Sequence, residues 1–156
     1  MELKINKYSI VIHRGPLDIL ERFTQNEAKA HEAGGIIVGK IINEQINIIK
    51  LSVPSRMDKS SRMSFERNKD SAQIILDYEF HNSNGQFTYL GEWHTHPEPF
   101  PTPSNIDLQM LKQQYKNNKM MTDFIILLIK GTNGIYISIL DNDGYHEFRI
   151  PQKTNA

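Results

Sequence analysis

Apolar and polar residues change period several times along the chain, and the changes predict its elements. Tyr8 to His13 reads as a short strand, and Gly15-Pro16 then opens a helix, since a first-turn proline gives up only an N–H that has no partner there. Leu17, Leu20, Phe23 and Ala28 share one helical face and carry that helix to about Ala28. Gly34-Gly35 ends it. Two apolar runs, Ile36 to Ile42 and Ile46 to Val53, meet at Asn43-Glu44 as a hairpin. Pro54 to Asn68 is polar, basic and without period, so it is a loop or insertion. Asp70 to Phe80 follows as a helix with Ala72, Ile75, Leu76 and Phe80 on one face. After Asn84-Gly85, the aromatic, β-favouring run Gln86 to Trp93 predicts a strand that continues through the next few residues and must stop at Pro97. Ser104 to about Tyr115 forms a third helix, with Leu108, Leu111 and Tyr115 inward. Asp123 to Lys130 and Ile135 to Leu140 flank Gly131-Thr132-Asn133-Gly134 as a hairpin, and Asp141 to Gly144 turns into Tyr145 to Ile150. The order β-α-β-β-α-β-α-β-β-β predicts one α/β domain over residues 1–150, a mixed sheet with helices packed against it, and a frayed tail at 151–156.

A chain of 156 residues suits a single domain with a substantial core. Its 18 basic and 18 acidic residues balance, so no bulk charge draws it to nucleic acid or to a membrane surface. There is no cysteine, which removes disulfides, thiolate ligands and cysteine nucleophiles; any metal would rest on His, Asp, Glu and water. The N-terminus lacks a signal-like apolar stretch, and no apolar run approaches the roughly 20 residues of a membrane span. A cytoplasmic protein is expected.

Candidate chemistry is concentrated in His94-Thr95-His96-Pro97 and, six residues on, Ser104-Asn105-Ile106-Asp107. Residues two apart on a strand share a face, so His94 and His96 can converge on one ion where the strand ends. With Asp107 they fill three positions of a tetrahedral site and leave one open, the pattern of catalytic zinc. Ser104-x-x-Asp107 also reads as a capping box that starts the third helix. Glu92 lies on the same strand face as the histidines but deeper in the sheet, where a supporting role is expected. Glu98, in the proline-rich loop, reads as a solvated or substrate-facing charge. Trp93 and Thr95 point to the opposite face and read as packing residues, and His13, His31, His81 and His146 have no partner at ligand spacing. Zinc deaminases are excluded by the absence of cysteine, amidohydrolase barrels of about 250 residues by length, and metallo-β-lactamase-type sites by Pro97-Glu98-Pro99.

The pattern His-x-His-Pro-x6-Ser-x-x-Asp resembles the signature of the JAMM (MPN+) zinc metallopeptidases. Glu32-Ala33-Gly34-Gly35-Ile36-Ile37-Val38-Gly39 resembles the glutamate segment those enzymes carry upstream. The resemblance implies a JAMM/MPN domain with one zinc on His94, His96 and Asp107. It implies Glu32 as general base, with His31 beside it near the cleft, and Ser104 as hydrogen-bond donor to the oxyanion, unless its hydroxyl only caps the helix. Tyr89 to Pro97 and Ser61 to Arg67 resemble the small bacterial members found beside ubiquitin-transfer-like enzymes in anti-phage (CBASS) operons. The substrate thereby implied is a protein with an extended C-terminal tail: a cGAS-like nucleotidyltransferase released from its targets, or a ubiquitin-like conjugate. On that reading Arg62 or Arg67 bonds the tail's carbonyls; on the other, the loop is solvated with Phe65 tucked into the core. A peptidase for a sulfur-carrier protein, a RadC-type JAMM protein and a non-enzymatic MPN scaffold are the alternatives.

Overall fold

In the computed structural model, residues 1–117 and 121–151 are described. The elements are β1 (Glu2–Ile5), β2 (Tyr8–Ile12), α1 (Arg14–Arg22), β3 (Gly34–Ile42), β4 (Gln45–Leu51), β5 (Lys59–Ser61) and β6 (Ser64–Glu66). They continue with α2 (Lys69–Asn82), β7 (Thr88–Thr95), α3 (Asn105–Asn117), β8 (Ile125–Lys130), β9 (Gly134–Asp141) and β10 (Gly144–Pro151). Eight strands form one mixed sheet in the order β1-β2-β4-β3-β7-β8-β9-β10. The pairs β2–β4 and β7–β8 are parallel and the rest antiparallel. The β3–β4 hairpin closes because Asn43 and Glu44 both sit at positive φ, 48° and 66°, the sense of twist a two-residue turn needs. The parallel pair β7–β8 needs a crossover, which α3 supplies.

Each face of the sheet carries its own core. Ile10, Ile12, Ile37, Ile46, Ile48, Leu90, Trp93, Ile126 and Leu128 pack on one face with Leu17, Leu20 and Phe23 of α1. Ile36, Val38, Tyr89, Ile125, Leu127 and Ile129 pack on the other beneath Ala72, Ile75 and Leu76 of α2 and Leu111 and Tyr115 of α3. The nine residues of α1 are too few to roof the first face alone. The sheet instead curls until β1 touches β10, and polar bonds tie the two edges. The Tyr8 hydroxyl donates to Asp141 Oδ2 at 2.7 Å, His146 Nε2 lies 3.0 Å from Asp141 Oδ1, and Asn6 Nδ2 lies 3.0 Å from His146 Nδ1. No helix among the described residues is long and apolar enough to cross a membrane.

Four details depart from the sequence reading. Strand β1 was not expected; it pairs with β2 through a turn in which Asn6 takes φ 52°. Helix α1 stops at Arg22, short of Ala28: the Thr24 hydroxyl donates to the Leu20 carbonyl at 3.0 Å and competes for the helical bond. The 54–68 segment holds the β5–β6 ribbon, with Ser61 opposite Ser64 across the Arg62-Met63 turn. Pro151 is the last paired residue of β10, opposite Gly134, rather than frayed. The expected tail at 152–156 lies outside the described residues.

The edge latch makes stability depend on pH. Burial would raise Asp141, but bonds from Tyr8, the Asp143 N–H and His146 outweigh it and hold the carboxyl below the usual carboxylate range. A carboxyl whose pKa is lower folded than unfolded stabilises fully above the unfolded value, ~4, and loses that contribution as pH falls toward the folded value. Asp141→Asn should therefore lower Tm at neutral pH, and its deficit relative to wild type should shrink below about pH 4. Thermal melts from pH 7 to 2.5 check this.

Candidate metal centre

The site begins as a matter of register. Gly34 pairs with His94 and Gly35 with Trp93, and the Thr95 N–H donates to the Ala33 carbonyl at 2.9 Å. One step further along the same register, Glu32 comes alongside His96. The two glycines of the Glu-x-Gly-Gly segment are close-approach positions. A Cβ at Gly34 would lie 2.5 Å from the Phe65 ring, which the ribbon lays over the sheet, and one at Gly35 would lie 2.2 Å from Ser52 Oγ. Phe65 is half-buried there.

A bulge in β7 sets which side chains join the histidines. Ile37 pairs with Gly91 and Val38 with Tyr89, leaving Leu90 unpaired on this side. Gly91 takes φ 155°, and a Cβ there would meet the Ile126 carbonyl oxygen at 1.9 Å. The extra residue shifts the alternation, so Tyr89 and Glu92 share a face although three apart. That face continues to His94 and His96.

Three donor atoms converge at the strand end. His94 Nε2 and His96 Nε2 are 3.1 Å apart, and Asp107 Oδ2 lies 3.2 Å from each. Such a triangle matches the ~3.3 Å edges of a tetrahedron whose metal bonds are about 2.0 Å. Two imidazole nitrogens and a carboxylate oxygen turned on one point are a donor set for a divalent cation. Glu32 Oε1 stands 3.8 Å from His96 Nε2, and its carboxyl groups with both imidazoles within 4.8 Å. The sequence-derived residues Glu32, His94, His96 and Asp107 are thus together.

Ser104 is beside them in a reciprocal cap. Its hydroxyl accepts the Asp107 N–H at 3.0 Å, and its own N–H donates to Asp107 Oδ2 at 2.8 Å. The cap uses a lone pair of the hydroxyl and not its proton. It also holds the carboxylate oxygen that faces the imidazoles.

Burial and charge act on these groups in opposite senses. Glu32 has a side chain only 5 % exposed. Desolvation pushes it up to about 7, helped by Asp107 and Glu98 and resisted by His96. For His96, burial works downward, but bonds to Asp107 and Glu98 and the charges of Asp107 and Glu32 raise it to about 9. Asp107 is held well below the carboxylate range, because bonds to His94, His96 and the Ser104 N–H outweigh its burial.

Glu98 is half exposed, as its place in the proline-rich loop led one to expect, but it has a further partner. Its Oε1 lies 3.0 Å from His96 Nδ1 and accepts the Thr102 N–H at 2.9 Å. Bonding Nδ1 fixes the tautomer that leaves Nε2 available as a ligand. Glu92 is held by Arg67, at 2.8–2.9 Å, and by the Tyr89 hydroxyl at 2.6 Å. Arg62 is likewise engaged within the chain, donating to the Ala28 carbonyl. Trp93 is a core residue, whereas fully buried Thr95 bonds Gln25 and the Ala33 N–H. Gln25 carries no motif, and sequence reasoning did not single it out. The other histidines bond elsewhere: His13 to Asn47, His31 to Ser60, His146 to Asp141 and Asn6, while His81 packs edge-on to Phe80. A groove of about 420 Å³ opens from His94 and Asp107 between Phe65 of the ribbon and Met110 of α3.

Residues 19–145 match the family described as prokaryotic homologs of the JAB domain. The chain belongs to that family. Among curated proteins, this JAB domain is 35% identical over 118 residues (76% of the chain, 73% of the relative) to a CD-NTase/cGAS isopeptidase of Escherichia coli strain TW11681. It is 27% identical over 139 residues (89% and 87%) to a CD-NTase/cGAS isopeptidase of Pseudomonas aeruginosa strain BWHPSA011 / Pa011. The solution structure of protein DSY2949 from Desulfitobacterium hafniense shares the fold, with a TM-score of 0.56 at 18% identity over 94% of each chain.

If Glu98 orients His96, Glu98→Ala should weaken divalent-cation binding by about 10- to 100-fold while leaving the fold intact. Competition titration against a chromophoric chelator measures the first effect and circular dichroism the second.

Proposed function

We propose that this JAB domain is a cytoplasmic, zinc-dependent isopeptidase that hydrolyses the bond after a conjugated C-terminal tail. The tail we assign is that of a cGAS-like nucleotidyltransferase, released from target proteins in bacterial anti-phage defence. The observation that carries the reading is the triangle of His94 Nε2, His96 Nε2 and Asp107 Oδ2 with the Glu32 carboxylate beside it. The names of the E. coli and P. aeruginosa relatives support the reaction and the substrate class.

On this reading His94, His96 and Asp107 hold one zinc ion. When bound, zinc supplies Lewis acidity, polarising the scissile carbonyl and bringing the deprotonation of water near neutral pH. Glu32 takes the proton of the attacking water and hands it to the departing amine, so one carboxyl serves as base and then as acid. The Ser104 hydroxyl, whose proton the helix cap does not use, donates to the oxygen that gains charge as water adds to the carbonyl. Glu98 keeps His96 in the ligating tautomer. Glu92 is unsuited to the base role, since both its oxygens are engaged by Arg67 and one of them by Tyr89. The groove between ribbon and α3 suits an extended tail, whose backbone can pair with the ribbon's edge.

Two substitutions separate ligand from base. His96→Ala should lose zinc and activity together, by elemental analysis and turnover. Glu32→Gln should keep zinc yet lose at least ~10²-fold in turnover, because an amide cannot accept the proton. For the substrate, the nucleotidyltransferase C-terminus is fused to a reporter and its release followed by mass spectrometry, with Glu32→Gln as control. Release of ubiquitin-like or sulfur-carrier fusions, and not of this one, would move the assignment to those proteins; release of none would end the peptidase reading.

A further inference from the structure

Between the end of α1 and the start of β3 the chain runs through residues 23–33 without regular structure, yet it must deliver Glu32 to within a few ångströms of His96. Backbone pairing to β7 does not reach that far: the last bond is from the Thr95 N–H to the Ala33 carbonyl. Beyond it, Gln25 is buried along with Glu32 itself, and is only 4 % exposed. Its Nε2 donates to the Ala30 carbonyl at 3.0 Å and the Arg62 carbonyl at 3.1 Å, and its Oε1 accepts the Thr95 hydroxyl at 2.8 Å. Thr95 Oγ1 in turn accepts the Ala33 N–H at 2.9 Å. These bonds form a closed circuit from Gln25 to Ala30, along the chain past Glu32 to Ala33, then through Thr95 back to Gln25. Thr95 lies between the two histidines in sequence, on the opposite face. The circuit thus spans the distance between the Glu32 backbone and the strand carrying His94 and His96.

We propose that Gln25 is a positioning residue for Glu32: through Ala30, Thr95 and Arg62 it sets where the carboxylate stands relative to the two imidazoles and ties that position to the β5–β6 ribbon. The proposal rests on the assignment of Glu32 as general base. Glutamine suits the position because it offers two donors and an acceptor at the end of one side chain. Glutamate lacks the donors, asparagine is a methylene short, and methionine fills the volume with no bond. The Arg62 branch joins the ribbon to the same circuit, alongside the Glu32 N–H that donates to the Ser61 carbonyl at 2.7 Å. Residues 28–33 and 60–64 therefore behave as one unit.

The experiment uses the full chain loaded with zinc and compares Gln25→Met, Glu32→Gln and the double variant. Gln25→Met should keep zinc content and KM and lower kcat by roughly 10- to 100-fold, the scale of a small misplacement of a reacting group. In the Glu32→Gln background the same change should cost almost nothing further, because a residue acting through Glu32 has nothing left to position. An equal loss of kcat in both backgrounds, or an unchanged kcat in Gln25→Met, overturns the proposal. Hydrogen exchange without substrate is an independent arm: amides of 28–33 and 60–64 should exchange faster together in Gln25→Met, while β7 and β8 stay protected. Unaltered exchange at 28–33 also overturns it. Should wild type cut no tail fusion, the peptidase reading fails, and the exchange arm alone decides the position of Glu32. Should Gln25→Met not fold, Thr95→Val, which removes a hydroxyl at nearly constant shape, opens the same circuit and takes its place in every arm.

Discussion

Strands β3 and β7 run antiparallel with Gly34 opposite His94, and a slip of one residue would turn both imidazoles to the wrong face. That register brings Glu32 beside His96, although the two are 64 positions apart in the chain. It is protected from both sides. Gly34 and Gly35 admit Phe65 and Ser52 at distances no side chain would allow, and Gly91 admits the Ile126 carbonyl from β8. The bulge at Gly91 then brings Glu92 and Tyr89 to the face of the histidines, where Arg67 pins them and with them the end of the ribbon. Sheet, ribbon and site are consequences of one alignment.

Electrostatics supplies a second layer. Among Glu32, Asp107, Glu98, His94 and His96, acids outnumber bases, and all five side chains except Glu98 are largely hidden from water. Such a cluster retains protons: Glu32 rises to about 7 and His96 to about 9, each reducing the local excess of negative charge. A divalent cation at the same point performs that neutralisation without protons, freeing the imidazole nitrogens and the Glu32 oxygen at once. The donor geometry and the charge imbalance therefore ask for the same kind of occupant.

Much of this was legible in the residues themselves. The His-x-His pair on a strand, the proline stop and the acid three residues into a helix cap need only periodicity and turn chemistry. The run from Asp123 to Lys130 announced a strand of the β8–β9 hairpin. What the sequence did not disclose depends on contacts between distant segments. Gln25 sits in an unpatterned loop, and only its three partners, drawn from 30, 62 and 95, mark it out. Glu98 looked like a surface charge because nothing local reveals that the proline loop folds back to bring it onto His96. The ribbon strands of three residues each are too short and too polar for alternation to show, and β1, at four residues, is little longer.

The cap on α3 has a thermodynamic meaning. Asp107 Oδ2 accepts the N–H that begins the helix and is also the oxygen turned toward the imidazoles. A helix terminus and a ligand set that share an atom are linked, and linkage is reciprocal: whatever occupies the imidazoles tightens the first turn of α3, and whatever frays that turn weakens occupancy by the same free energy. Because α3 is the crossover between the parallel strands β7 and β8, the effect reaches the interior of the sheet. An ion held by these donors would then also be a fold-stabilising ligand, and its removal would loosen the crossover.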